Sequence, residues 1–247
     1  MRSIGSWSAF LVVYVLTVGI AVAAAQLATG TPRFGSFGGG PFDTVNLGNL
    51  NVHFDIPVMS KAGRGLPFTY TLSYDSAVWY PVGVSGNQNW QNVGKWGWRG
   101  NTEVAVGYIS YSITQTSDCN GQGIRTTYSN WTYHDTFGVA HVFSGTTYTV
   151  NGPASCNPGP PLTTTAPDGS GYTLHANGSN GTITAASGEV IAAPINASAG
   201  AGTVTDANGN RMSVNSSGQF FDTLSNTTPV LTASGQGTQA SPTTFTY

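Results

Sequence analysis

The chain has 247 residues with 8 basic and 10 acidic side chains, a formal charge of -2, so it carries no basic field of the kind that holds nucleic acid. Charged residues make up only 7% of it, against about 25% in ordinary globular proteins, which leaves Thr, Ser, Asn and Gly to face solvent. With Val, Tyr, Phe and Trp as the apolar partners, this composition argues for many short strands joined by polar turns and against a mainly helical fold.

Arg2 precedes an apolar stretch from about Phe10 to Val22 and then Ala23-Ala24-Ala25 before Gln26. That is the layout of a secretory signal peptide over residues 1–25, folded as a signal helix, with an uncleaved anchor as the alternative. No second long apolar run follows, so the expected product is secreted or held at the cell surface, without membrane contact once the signal is cleaved. From Gln26 to Pro41 the chain is rich in Gly, Phe and Ser and reads as an extended lead-in pinned by Phe34, Phe37 and Phe42. It lacks the lysine and following helix that a phosphate-cradling loop needs.

Two alternating rows come next. Leu50, Val52, Phe54, Ile56 and Val58 alternate with Asn51, His53, Asp55 and Pro57, and Phe68, Tyr70, Leu72 and Tyr74 alternate with Thr69, Thr71 and Ser73. Each predicts a strand that buries its apolar row, and the Lys61-Ala62-Gly63-Arg64-Gly65 segment between them suits a hairpin turn. Five of the 6 tryptophans, Trp79, Trp90, Trp96, Trp98 and Trp131, then fall between Val78 and Tyr148. Strands are expected at Val104 to Thr114, Arg125 to His134 and Ala140 to Val150. Trp79, Tyr80, Trp90, Trp96 and Trp98 form a candidate platform for sugar rings or another apolar surface, with filling of a β core as the alternative. If extended, Trp96-Gly97-Trp98 sends both indoles to one side.

Residues 26–152 thus read as an aromatic-rich N-terminal β domain. Cys156-Asn157-Pro158-Gly159-Pro160-Pro161 lies in a stiff connector over 153–162, and 163–247 reads as an incomplete, repeat-like β region with a turn signal about every ten residues. Export makes a Cys119–Cys156 disulfide the expected pairing, the alternative being two separately buried thiols. In the last region Thr205-Asp206-Ala207-Asn208-Gly209-Asn210 is followed by an aspartate-led turn at Asp222, with weaker echoes at Asp135 and Asp168. An aspartate there accepts bonds from backbone amides two and three residues on, and Gly209 supplies the positive φ.

Signals for chemistry are sparse. His53, His134, His141 and His175 lack ligand spacing and neither cysteine has a CxxC partner, so no metal or other cofactor is expected. No GxSxG occurs, and among the carboxylates only Asp75 and Glu103, flanked by Trp79 and Trp98, stand out as a glycosidase pair.

The repeat-turn residues Asp206, Gly209, Asn210 and Asp222 carry a resemblance to the RHS, or YD-repeat, family of large secreted β-proteins, whose repeats are led by Tyr-Asp or Thr-Asp followed by Gly-Asn. The opening is similar to that family's N-terminal segment: Gly48-Asn49-Leu50-Asn51-Val52, Ile56-Pro57-Val58, Gly63-Arg64-Gly65, Leu66-Pro67-Phe68 and Leu72-Ser73-Tyr74-Asp75-Ser76. The resemblance covers roughly 48–76 and 205–226. It implies an all-β fold of antiparallel sheets, a YD-repeat-like meander and a non-catalytic structural or recognition role as the leading segment of a shell. Its partner is then the downstream part of such a protein, a glycan or another cell-surface molecule. A carbohydrate-binding β-sandwich using the tryptophan platform is the alternative, and a secreted glycosidase a third reading.

Overall fold

The computed structural model describes residues 29–76, 79–84, 87–92, 97–153 and 156–247. The expected signal helix lies outside them. The described chain is antiparallel β almost throughout, in four sheets. The first runs β1 (Phe37–Gly39), β2 (Asp43–Asn46), β3 (Val52–Lys61), β4 (Phe68–Asp75) and then β7 (Gly97–Arg99), while β5 (Trp79–Val84) and β6 (Asn87–Asn92) pair only with each other. One helical turn, α1 (Glu103–Val106), leads into β8 (Tyr108–Asp118), whose partner β9 (Gly123–His134) also pairs with β10 (Ala140–Val142) and β11 (Thr147–Asn151).

The remaining nine strands form a single meander in chain order. They are β12 (Leu162–Thr165), β13 (Thr173–Asn177), β14 (Asn180–Thr184), β15 (Val190–Ala192), β16 (Gly202–Thr205), β17 (Arg211–Val214), β18 (Gln219–Phe221), β19 (Leu231–Ser234) and β20 (Thr244–Thr246). Register explains its stability: Leu174, Ile183, Ile191, Val204 and Met212 are successive cross-strand partners, so one apolar row crosses five strands. Leu174 and Ile183 are fully buried, and a buried aliphatic side chain of this size contributes about 1.5–3 kcal/mol. Thr165, Thr173, Thr184 and Thr205 fill the alternate positions, where a β-branched hydroxyl side chain suits a solvated pleat.

A continuous core joins the sheets. Phe68 and Tyr70 of β4, Ile109, Trp131 and Tyr133 of the β8–β11 sheet and Leu174, Val214, Phe220 and Leu231 of the meander belong to one cluster. The Phe220 ring lies 6.1 Å from Phe68 and 5.2 Å, edge-on, from Tyr70.

Three sequence expectations are corrected, besides the strand expected from Ala140 to Val150, which divides into β10 and β11 on either side of 143–146. The strand expected from Val104 begins at Tyr108, because Val104 and Val106 enter the core from a helical turn closed by the Gly107 N–H donating to Glu103 O. The phenylalanines do not pin the lead-in: Phe34 is 92% and Phe42 65% exposed. Its anchors are polar, Thr29 Oγ1 donating to Gly138 O and Gly30 N to Asp75 Oδ1. Third, the apolar row of β3 is not its buried row, since Leu50 is 71% and Ile56 41% exposed while Asn51 and His53 are buried.

The reason for that reversal is tertiary. Where β3 and β4 approach their turn, Phe68 and Tyr70 face the meander. At the far end the opposite face, carrying Asn51, His53, Ser73 and Asp75, is covered through Gly30 and Arg99. The two ends of one hairpin are therefore covered on opposite faces.

Candidate functional site

The repeat turns are built as capped hairpin loops. Asp206 Oδ1 accepts the amides of Asn208 and Asn210, Asp206 N donates to Asn210 O, and Gly209 at φ +81 closes the loop, as a turn followed by a left-handed residue requires. Asp135 repeats the pattern with Phe137 and Val139, and Asn215 with Ser217 and Gln219. Asp222 instead caps Leu224 and Ser225. The Asn215 loop carries an amide where the others carry a carboxylate, which is why a search for aspartate-led turns passes over it.

These turns receive the opening hairpin. Arg64 N donates to Thr223 Oγ1 at 2.6 Å, and Lys61 Nζ lies 2.6 Å from Asp222 Oδ2, whose side chain is fully buried. Gly65, at φ +84, sits against the Asp206–Asn210 loop so closely that a Cβ there would lie 2.7 Å from Asp206 Oδ2 and closer still to Asn210 Nδ2. The opening hairpin and the Asp206 and Asp222 turns are thus packed against each other. Gly65→Ala adds about 1–2 kcal/mol of left-handed strain to about 1–3 kcal/mol of overpacking, so it is expected to cost about 2–5 kcal/mol in urea unfolding. An unchanged midpoint would show that the turn does not dock in solution.

The tryptophan platform is only partly visible. Trp79, Tyr80 and Trp90 lie in the β5–β6 hairpin, in which Trp90 is the register partner of Pro81, and Trp96 lies outside the described residues. Trp98 on β7 is 60% exposed, with its ring 5.0 Å from Tyr74, which in turn lies 5.9 Å from Phe54. Since Phe54 pairs with Tyr74 and Tyr74 with Trp98, the three rings form a cross-strand ladder over β3, β4 and β7.

Asp75 and Glu103 are both buried, at 0% and 6% exposure. Asp75 Oδ1 accepts from Gly30 N at 2.7 Å and Asn51 Nδ2 at 2.6 Å and lies 3.1 Å from His53 Nδ1. Its Oδ2 is 3.0 Å from Arg99 Nη2, an ion-pair distance without hydrogen-bond alignment. Burial opposes the Asp75 charge, but the His53 hydrogen bond and the Arg99 charge outweigh it and hold the carboxyl below its ordinary value. A general acid needs the reverse, and Asp75 stands at the centre of a buried polar network of Gly30, Asn51, His53 and Arg99.

Sequence reading missed a second cluster. His141 Nδ1 lies 2.6 Å from Asp168 Oδ2 and its Nε2 3.3 Å from Asp135 Oδ2, beside a cleft of about 240 Å³ that Arg33 and Tyr172 also line. Burial works against the imidazolium, and the bonds to Asp135 and Asp168 prevail, raising its pKa. Both ring nitrogens face carboxylates, and the ring ties the β9–β10 turn to the β12–β13 turn. Cys119 and Cys156 form a disulfide. Among the described residues there is no group of His, Cys, Asp or Glu that could hold a metal ion, and no helix long and apolar enough to cross a membrane.

Alongside His141, whose raised pKa acts in the same sense, His53 shapes the alkaline side of the pH response. Burial lowers its pKa, yet hydrogen bonds and charge from Asp55 and Asp75 raise it from 6.5 to about 9. Its contribution to stability is therefore fully present below 6.5 and lost as the pH rises through about 9. The Asp75 contribution is present above 3.8 and lost as the pH falls through the depressed folded-state value. Urea midpoints should be highest between about pH 4 and 6.5 and decline on both sides, with the alkaline decline reduced in His53→Gln. Stability still rising above neutral pH would contradict this.

Comparison with protein-family models, with curated proteins and with solved structures finds no match to this chain.

Proposed function

We propose that the chain is a non-catalytic, exported structural and recognition module, the leading segment of an RHS-type repeat shell. The observation that carries this reading is the docking of the Lys61–Gly65 turn onto the Asp206 and Asp222 turns, which makes the opening hairpin the support of a nine-stranded meander. Among the described residues β20 is paired on one side only, and an open strand edge is where a further repeat would add. The commitment of Asp75, Asp135, Asp168, Asp206 and Asp222 to ion pairs and turn caps supports a role without catalysis.

The test is an antiserum raised against the recombinant chain and applied to producing cells. The expected antigen is accessible to protease on intact cells or present in the medium, in a polypeptide much larger than 25.6 kDa. Antigen confined to the cytosol overturns export, and a species of 25.6 kDa or less overturns the shell reading.

The Phe54–Tyr74–Trp98 ladder favours a second reading, a sugar-stacking face, because an exposed indole backed by two rings offers a rigid apolar plane. Glycan-array binding that disappears in Trp98→Ala is the expected result, and binding unchanged by that substitution ends it.

A further inference from the structure

We infer that the cleft where the Lys61–Gly65 turn meets the β16–β17 and β18–β19 connections binds an anionic saccharide, one carrying carboxylate or sulfate groups. The inference stands apart from the shell reading and uses a face other than the aromatic ladder. The cleft measures about 730 Å³, within the range of small-molecule sites, and Arg64 and Arg211 both line it.

Charge bookkeeping singles the place out. The chain has only 8 basic residues. Among the described ones Lys61 pairs with Asp222, Arg99 with Asp75 and Arg125 with Asp118, which leaves Arg33, Arg64 and Arg211 without a carboxylate partner among the described residues. Two of these three arginines line this one cleft.

The nearby carboxylates cancel them only in part, since two arginines stand against the one charge of Asp206 once Asp222 is paired with Lys61. Asp222 is neutralised by Lys61 and two backbone amides, and Asp206 accepts from Asn208 N, Asn210 N and Asn210 Nδ2. Both arginine side chains are exposed, so their forked donors are open to planar, bidentate partners such as carboxylate and sulfate.

Saccharide, rather than a bare anion, follows from the rest of the wall. Asn208, Asn226, Ser213 and Ser225 supply amides and hydroxyls that both donate and accept, which is what ring hydroxyls require. Leu224 is the single apolar side chain in the lining, so an apolar ligand finds no surface, and no aromatic ring is present on which a nucleic-acid base could stack. The frame is fixed by the turn caps and by the contact at Gly65, so little ordering accompanies binding.

Isothermal titration of the full chain with tetragalacturonate, a sulfated heparin tetrasaccharide, cellotetraose and inorganic sulfate tests this. At least one acidic tetrasaccharide should bind about tenfold or more tightly than cellotetraose, and which one binds distinguishes carboxylate from sulfate. Arg64→Gln and Arg211→Gln should each weaken binding about tenfold with unchanged thermal unfolding, since Arg64 docks through its backbone N–H, whereas Arg33→Gln should leave it unaltered. No binding of either acidic sugar at millimolar concentration overturns the inference. So do equal affinity for inorganic sulfate or an equal loss in Arg33→Gln, which would mark a non-specific charge effect.

Discussion

Replacing Asp75 by alanine is expected to lower the unfolding free energy by about 3–5 kcal/mol, the range found when one partner is stripped from a buried ion pair. Arg99 is only 4% exposed and would keep its charge without the carboxylate, and Asn51 Nδ2 and the Gly30 amide would each lose an acceptor away from water. The loss reaches beyond the site, because Asp75 gathers the lead-in, β3, β4 and β7 and, through the Arg99 bond to Phe137 O, the β9–β10 turn. Asp55→Ala is the matched control. Asp55 lies 3.1 Å from the other nitrogen of His53, but its side chain is 43% exposed, and a solvent-screened partner of this kind contributes at most about 1 kcal/mol. Urea unfolding of both variants near pH 6 should separate them by several-fold. Equal small losses would show that the network is dispensable.

The meander was legible because its information is local: period-two apolar residues mark its strands, and positive-φ glycines lie in most of its connections, the β18–β19 connection excepted. The Cys119–Cys156 pair was legible from the even cysteine count together with the expectation of export. The polar core around Asp75 was not legible, although His53 and Asp75 prove to be register partners. The pairing slips by one residue between Pro57 and Met59, so counting outward from the Lys61–Gly65 turn places His53 opposite the wrong side chain. Alternation also treats a strand as having one buried face, whereas β4 buries Phe68 and Tyr70 on one side and Ser73 and Asp75 on the other. The docking of Arg64 and Lys61 on Thr223 and Asp222 brings together residues about 160 positions apart, and nothing in the spacing of either segment encodes it. The cleft between Arg64 and Arg211 stayed hidden for the same reason, since in sequence they are two scattered cations.

Substituting both cysteines by serine is the second large effect expected, a loss of about 4 kcal/mol on the loop-closure account for a sequence separation of 37. In a chain of this size that corresponds to a fall of roughly 10 °C in Tm. The hairpin tip holding Cys119 keeps its own bonds when the sulfurs are removed. Asp118 Oδ1 accepts Cys119 N at 2.8 Å, Arg125 Nε donates to Asp118 Oδ2 at 2.7 Å, and the same guanidinium lies 4.2 Å over the Tyr148 ring. On the far side Gly159 N donates to Tyr148 O and steers the connector back along β11. With both ends held locally, the covalent link acts chiefly on the unfolded chain, which it keeps compact. The double variant should therefore show a lower urea midpoint together with a larger m-value, as a less restricted unfolded ensemble exposes more surface. A lower midpoint at constant m would place the effect in the folded state instead. The bond would then hold the connector against the β8–β9 tip in the folded chain.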